Sequence, residues 1–365
     1  PFHQDNAMDS GTQFKSLSNQ SLHLALFHPN SPNYNLLITG SSGQGKSMLA
    51  AKLLFDEITQ GKKAVILDMG GSFKKLARYL GGNEITKSIN PMQFPEAFFL
   101  REFILANISA MGASGRAPLA EKDLGLLLKL IKGELAAKPD LNFLTLLNAL
   151  KKSFPDIDNY FEDSKDFLGE EWLPNNVNTY VDISNYPIKI QAPLILFLIQ
   201  YFKTLKGEQI FLIDECWNLL DRHADFVATC FRTFRKEKAA GIAIAQGVSD
   251  FLNLPLGEAI WSNSNLKILF RQEITSHNPF SNFEREKLKK LRSIKRQYSE
   301  FFALSENLKK TMRFFPTPFE YELFTTDRDD LLSQEKYFAE TEPFFGFKRS
   351  MDNFVALKYP PGEAT

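Results

Sequence analysis

The run Gly40-Ser41-Ser42-Gly43-Gln44-Gly45-Lys46-Ser47 satisfies every required position of G-x-x-x-x-G-K-[ST]. These residue types suit a nucleoside triphosphate. Backbone N–H groups can cradle its phosphates only where side chains do not block them, and three glycines clear that approach. The lysine can reach the β- and γ-phosphates, and the Ser47 hydroxyl can ligate Mg²⁺. A second constellation is Gln209–Ile213 followed by Asp214 and Glu215, an apolar run ending in two carboxylates. Paired with a phosphate loop, Asp214 is expected to hold the Mg²⁺ shell and Glu215 to polarise an attacking water. A kinase needs the metal ligand but gains little from a water activator, so the second acid favours hydrolysis.

Three further features could serve the same chemistry. Gln246 ends the apolar run GIAIA, where ligands of open α/β sheets sit, although a loop polar residue would look the same. Asp68 ends another such run and reads more simply as a turn residue. Arg232 and Arg235, in RTFRKEK, and Arg271, after NLKILF, are candidates to neutralise phosphoryl charge across a subunit boundary. A solvated basic face accounts for the same arginines. The five histidines do not cluster at metal-ligand spacing, and Cys216 reads as buried filler.

The elements that must position these groups alternate. Tyr34–Thr39 reads as a buried strand, residues 46–60 as a helix and Lys63–Asp68 as a second strand. From residue 92 to about 175 helical spacing takes over, as in Leu124, Leu127, Leu128, Ile131 and Phe143, Leu146, Leu147, Leu150. The alternation resumes with strands near 179–183, 209–213, 241–245 and 265–270, an apolar helix near 192–206 and another near 223–238. Segments such as FEYELF, within 298–324, suit antiparallel edge strands. The expected fold is α/β with a mostly parallel sheet, assigned to 21–91 and 176–365. An all-helical insertion would span 92–175, and residues 1–20 would be a loose leader.

Composition excludes other classes. Of the 365 residues, 44% are hydrophobic and 24% charged, which rules out a chain that is mainly disordered. Lys+Arg and Asp+Glu number 43 each, so a role resting on a global basic field loses weight. Charge is nonetheless segregated: 284–296 holds seven basic residues, and 156–171 holds seven acidic ones. Solvated faces or complementary patches fit both runs. Two cysteines build no disulfide framework and suit a reducing compartment. The longest apolar stretch, Ala192–Phe202, is about half a membrane span. The chain opens on Pro1 rather than Met, so a preceding part is expected.

Together NYNLLITGSSGQGKS, VILDMGGSFKKLARYLGG, Asn90-Pro91, YVDISNYP, FLIDECWNLL and RTFRKEKAAGIAIAQGVSDFL resemble the TraC/VirB-type ATPases of type IV secretion and conjugation machines. The likeness runs from about Leu24 to Ala356. It implies a RecA-like motor domain interrupted by a helical domain. It also implies ATP and Mg²⁺ as cofactors and assembly into oligomers, often hexamers, at the inner face of the bacterial inner membrane. There such ATPases support pilus assembly and substrate transfer with other secretion components. The family's Walker positions fall on Lys46, Ser47, Asp214 and Glu215, its glutamine on Gln246, and its arginine motif on Arg232 and Arg235. The family usually carries an N-terminal domain as well, so the resemblance implies that these residues are a C-terminal fragment. Ala240-Gly241 stands where Asn-Gly is expected, a departure taken to alter only a turn. Two rivals stand beside this reading: a DNA translocase or coupling protein of related fold, kept open by 284–296, and a nucleotide-gated scaffold that hardly hydrolyses.

Overall fold

The computed structural model describes residues 2–3, 11–86, 88–112, 119–138, 140–216, 230–253, 255–273, 280–306 and 308–360. Strands are β1 (Phe2–His3), β2 (Thr12–Ser16), β3 (Ser21–Leu24), β4 (Leu36–Thr39), β5 (Lys63–Asp68), β6 (Asn83–Glu84) and β7 (Thr179–Asp182). They continue with β8 (Gln209–Ile213), β9 (Ala239–Ala245), β10 (Leu266–Leu269), β11 (Ser293–Ile294), β12 (Tyr298–Ser305) and β13 (Leu308–Phe314). Among the described residues these thirteen strands form one sheet, ordered β1-β3-β2-β13-β12-β10-β4-β9-β8-β5-β7-β6, with β11 on β12.

The centre of that sheet is parallel. β10, β4, β9, β8 and β5 pair in turn, with Leu36 opposite both Leu266 and Ile242, and Gln209 opposite both Ala239 and Lys63. Their near-continuous apolar composition follows from burial on both faces: every residue of β4, β8 and β9 is buried. Alternate residues serve one face. Leu36, Ile38, Ile210, Leu212, Ile242 and Ile244 pack with Leu49, Leu53 and Leu54 of the helix Lys46–Thr59. Full burial of each such side chain contributes about 2 kcal/mol. Beyond β10 the sheet turns antiparallel through β12, β13, β2, β3 and β1.

By internal contacts the chain divides into two compact units, the first comprising Pro1–Glu84, Val177–Tyr180 and Lys206–Thr365. The second comprises Ile85–Asn176 and Val181–Leu205 and is helical, with helices Ala97–Gly112, Glu121–Ala137, Phe143–Leu150 and Ile188–Thr204. Its interior is a chain of ring contacts: Phe94–Phe99, Phe99–Phe103, Phe103–Phe143 and Phe143–Phe161. Buried Asn107 accepts from the Ser164 hydroxyl at 3.0 Å.

Several expectations change. Residues 12–16 of the anticipated leader form β2, where Phe14 buries its ring against Phe301 and Phe314. An apolar residue flanked by polar ones is the signature of a half-buried strand. The helix Ile188–Thr204 joins the second unit, because Phe197 stacks on Phe94 there. FEYELF is the helix Pro318–Phe324: Thr317 and Glu320 form a reciprocal capping box, Pro318 fills the first turn, and burial from Glu320 to Phe324 mimics a strand's composition. Ala240 and Gly241 lie inside β9 rather than in a turn. Of the helix expected near 223–238, residues 223–229 lie outside the described residues. Residues 230–233 are helical, and Phe234–Glu237 form a 3₁₀ turn.

Candidate functional site

The phosphate loop leaves the carboxyl end of β4, and the helix Lys46–Thr59 starts directly from it. Gly45 caps that helix at φ 96°, a left-handed conformation that costs a side chain about 1 kcal/mol or more. A Cβ on Gly45 would also stand 2.4 Å from Ser299 Oγ. The helix has no side-chain cap and no acidic residue in its first turn. Its N–H groups and positive dipole end therefore suit an anion of the expected kind.

The acidic pair comes from β8. Asp214 is buried, its N–H donating to Leu67 O at 2.9 Å and its Oδ1 accepting from Glu215 N at 3.0 Å. Glu215 takes φ 46°, a strained conformation for a non-glycine residue that turns the chain sharply at the strand end. Burial first, then the charges of Asp68 and Glu215, hold the Asp214 carboxyl far above the ordinary carboxylate range. Such a site favours a cation, and Asp214 with the Ser47 hydroxyl would hold a Mg²⁺ ion there. Lys46 is also buried, donating to Ser41 O at 3.2 Å. Burial lowers its pKa, while Glu215, Asp214 and Asp250 pull the other way.

One cavity of 470 Å³ brings Ser42, Gly43, Gly45, Lys46 and Ser47 together with Asp214 and Glu215. Gln246, exposed at the end of β9, reaches toward Glu215 with Nε2 at 3.4 Å from Oε2. Its N–H and that of Gly247 donate to Asp250 Oδ2, at 3.1 and 2.9 Å. Asp68 serves the turn expected of it, accepting from Phe73 N at 2.8 Å, and also accepts from the Tyr180 hydroxyl at 3.0 Å. Gly40, Ser41 and Gln44 complete the loop: Ser41 N donates to Arg271 O at 3.0 Å. Arg232 and Arg271 are exposed, and neither lines the cavity among the described residues. Arg235 lies in the Phe234–Glu237 turn.

Sequence reasoning missed two supports. Buried Gln272 donates to Thr39 Oγ1 at 2.8 Å and accepts from Val248 N at 2.9 Å, tying the ends of β4 and β10 to the loop after Gln246. Its signal was present: a polar residue just past an apolar strand, as with Gln246. The second is the β11–β12 hairpin, where Ser293 Oγ donates to Gln44 O at 2.7 Å and Ser299 abuts Gly45. Some 250 residues separate these partners, and no local pattern announces them.

The fold and the site define a P-loop NTPase of RecA-like architecture. The family model of the TraG P-loop domain matches residues 18–111 and 188–345, and the chain belongs to that family of type IV secretion and conjugation NTPases. Protein TraC of Escherichia coli (strain K12) is 25% identical over 354 residues, a match covering 82% of this chain and 40% of TraC. The chain thus spans about two fifths of that relative's length. VirB4 of Thermoanaerobacter pseudethanolicus shares the fold at 20% identity and a TM-score of 0.67, over 86% of this chain and 98% of that one. The bacterial conjugative coupling protein TrwBdeltaN70 shares it at 12% identity and a TM-score of 0.50, over 77% and 84%.

Proposed function

We propose that the chain is an Mg²⁺-dependent ATPase motor that energises pilus assembly and substrate transfer in a type IV secretion or conjugation system. The observation that carries this reading is the meeting of Lys46, Asp214 and Glu215 on one cavity beside an uncapped helix N-terminus. In it Lys46 would bind the β- and γ-phosphates, and Ser47 and Asp214 would hold the metal. When bound, Mg²⁺ draws charge from the phosphate oxygens. Glu215 accepts the proton of the attacking water, and Gln246 fixes the orientation of that carboxylate. An arginine of a neighbouring subunit, from Arg232, Arg235 or Arg271, neutralises charge on the transferring phosphoryl group. Membership of the family and the likeness to TraC support the secretion setting. The motor would work as an oligomer, a hexamer by the family's habit, docked with other secretion components on the cytoplasmic face of the inner membrane. Among the described residues no helix is long and apolar enough to cross a membrane.

Binding and turnover in Lys46→Ala and Glu215→Gln variants test the chemistry. Lys46→Ala is expected to lose ATP binding. Glu215→Gln should keep binding and lose turnover by about 10²–10⁴-fold, the usual worth of a positioned base. A glutamine variant that hydrolyses at the wild-type rate removes Glu215 as the base. Loss of neither binding nor turnover in both variants removes the reading.

A DNA translocase is the second reading, favoured by exposed Lys289, Lys290 and Arg292 at the end of the helix Asn282–Lys290. Lys289 lies 3.2 Å from Glu286, which tempers that patch. DNA that stimulates turnover at low salt and loses its effect at moderate salt would select this reading.

A further inference from the structure

We propose that the strip Glu170-Glu171-Trp172 of one chain docks on the basic face around Phe283 of a second copy of the same chain. This rests on the oligomeric reading given above and names the surfaces that join its subunits. The strip lies in the second unit and is held at both ends. Asn90 Nδ2 donates to Glu170 O at 2.9 Å. At the other end Leu173 N donates to Gln93 Oε1 at 2.9 Å, and Gln93 Nε2 donates to Leu173 O at 3.1 Å. Between these ties Glu170 and Glu171 are exposed, and Trp172 is 64% exposed. A segment so fixed has given up its backbone freedom before a partner arrives, which lowers the cost of binding through it.

The helix Asn282–Lys290, in the first unit, sets the opposite charge around a second ring. Phe283, Lys287 and Lys290 share one side of it, by their spacing of four and three residues. Phe283 is 75% exposed, and Lys287 Nζ lies 5.9 Å from its ring centre. Lys290 and, just past the helix, Arg292 are exposed as well. This surface is also fixed: Ser281 and Glu284 form a capping box, and buried Leu288 packs in a cluster with Val248, Leu269 and Phe280. Local counter-charges do not cancel either run. Glu286 pairs with Lys289 and Glu284 with Lys309, while Lys165 is the one base among the seven acids of 156–171. A lone exposed ring carries no message. Two rings, each held in place and each set among charges opposite to the other's, supply an aromatic centre with a charged rim. Phe283 also suits a protein partner better than a duplex backbone, whose phosphates engage lysines but not a ring. Because the two surfaces differ, the contact runs head to tail and closes into a ring where the rotation permits.

Sedimentation velocity over a concentration series, with ATP and Mg²⁺ fixed and at low and high salt, reads this contact. Wild type should self-associate, and less tightly at high salt. Trp172→Ala should weaken association about thirtyfold or more, the least that a hot-spot side chain is worth. Glu170→Lys/Glu171→Lys and Lys287→Glu/Lys290→Glu should each abolish it. A mixture of these two variants should associate again, because every contact of an alternating assembly then pairs opposite charges. That recovery also shows both variants to be folded. A mixture that does not recover, or association left unchanged by any of the three variants, overturns the proposal while the oligomer stands. Wild type that stays monomeric at every concentration removes the oligomeric reading itself, and the proposal with it. A helix variant that loses DNA binding yet still self-associates overturns the proposal in favour of the DNA reading.

Discussion

Glu215 and Lys267 illustrate two ways a residue can be held against its preference. Glu215 adopts a left-handed backbone at the end of β8, a strain of about 1–3 kcal/mol that the surrounding sheet sustains. Lys267, on β10, is driven instead by desolvation. Burial lowers its pKa to about 8 against an ordinary 10.5, with Glu306 opposing, while its Nζ donates to Ser264 O at 2.5 Å and lies over the Trp261 ring. Below pH 8 the ammonium is charged in both folded and unfolded chains, and the fold bears the full desolvation cost. Between pH 8 and 10.5 the folded chain gives up the proton first, so the unfolded chain binds more protons and stability rises with pH. Thermal melts across that window should show wild type gaining on Lys267→Met as pH increases. Parallel curves would mean that the lysine's charge is not under this strain. No sequence signal marks either residue for these roles, because both effects come from neighbours brought by the sheet.

At the scale of elements, burial explains what was legible and what was not. The parallel strands announced themselves because a strand covered on both faces is a short apolar run bounded by turn residues, as with KAVILD and QIFLI. The same property hid the helix Pro318–Phe324, whose far end is buried and so shows no clear period. Gly241 within β9 shows another limit. A Cβ there would lie 2.9–3.0 Å from the rings of Phe231 and Phe234, so the strand needs glycine for close packing rather than for a turn. Gly241→Ala is expected to destabilise by about 1–3 kcal/mol, the usual cost of overpacking. Phe231→Leu in the same chain should recover part of it. Chemical denaturation checks both, and an unchanged midpoint in the single variant would show that the rings yield freely.

Over the whole molecule, the phosphate loop, the acidic pair and Gln246 were readable because each sits within a few residues of a strand end. Their supports were not, since the hairpin that braces Gln44 and Gly45 lies far along the chain. The arginines pose a question of assembly. With neither Arg232 nor Arg271 lining the cavity of its own chain among the described residues, charge neutralisation in trans predicts complementation. Mixing Lys46→Ala subunits with subunits lacking the acting arginine should restore turnover well above either alone, since such an arginine is worth about 10³–10⁵ in rate. Mixtures no more active than the average of their parts would place the arginine in cis or outside the chemistry. Both cysteines of the chain, Cys216 and Cys230, are buried, and burial also raises the Cys216 thiol pKa far above its ordinary value. A maleimide dye therefore finds no ready thiolate on the native surface. A single cysteine introduced at an exposed position such as Gln297 becomes a selective attachment point for fluorescence at the rim of the cavity, with no background to remove.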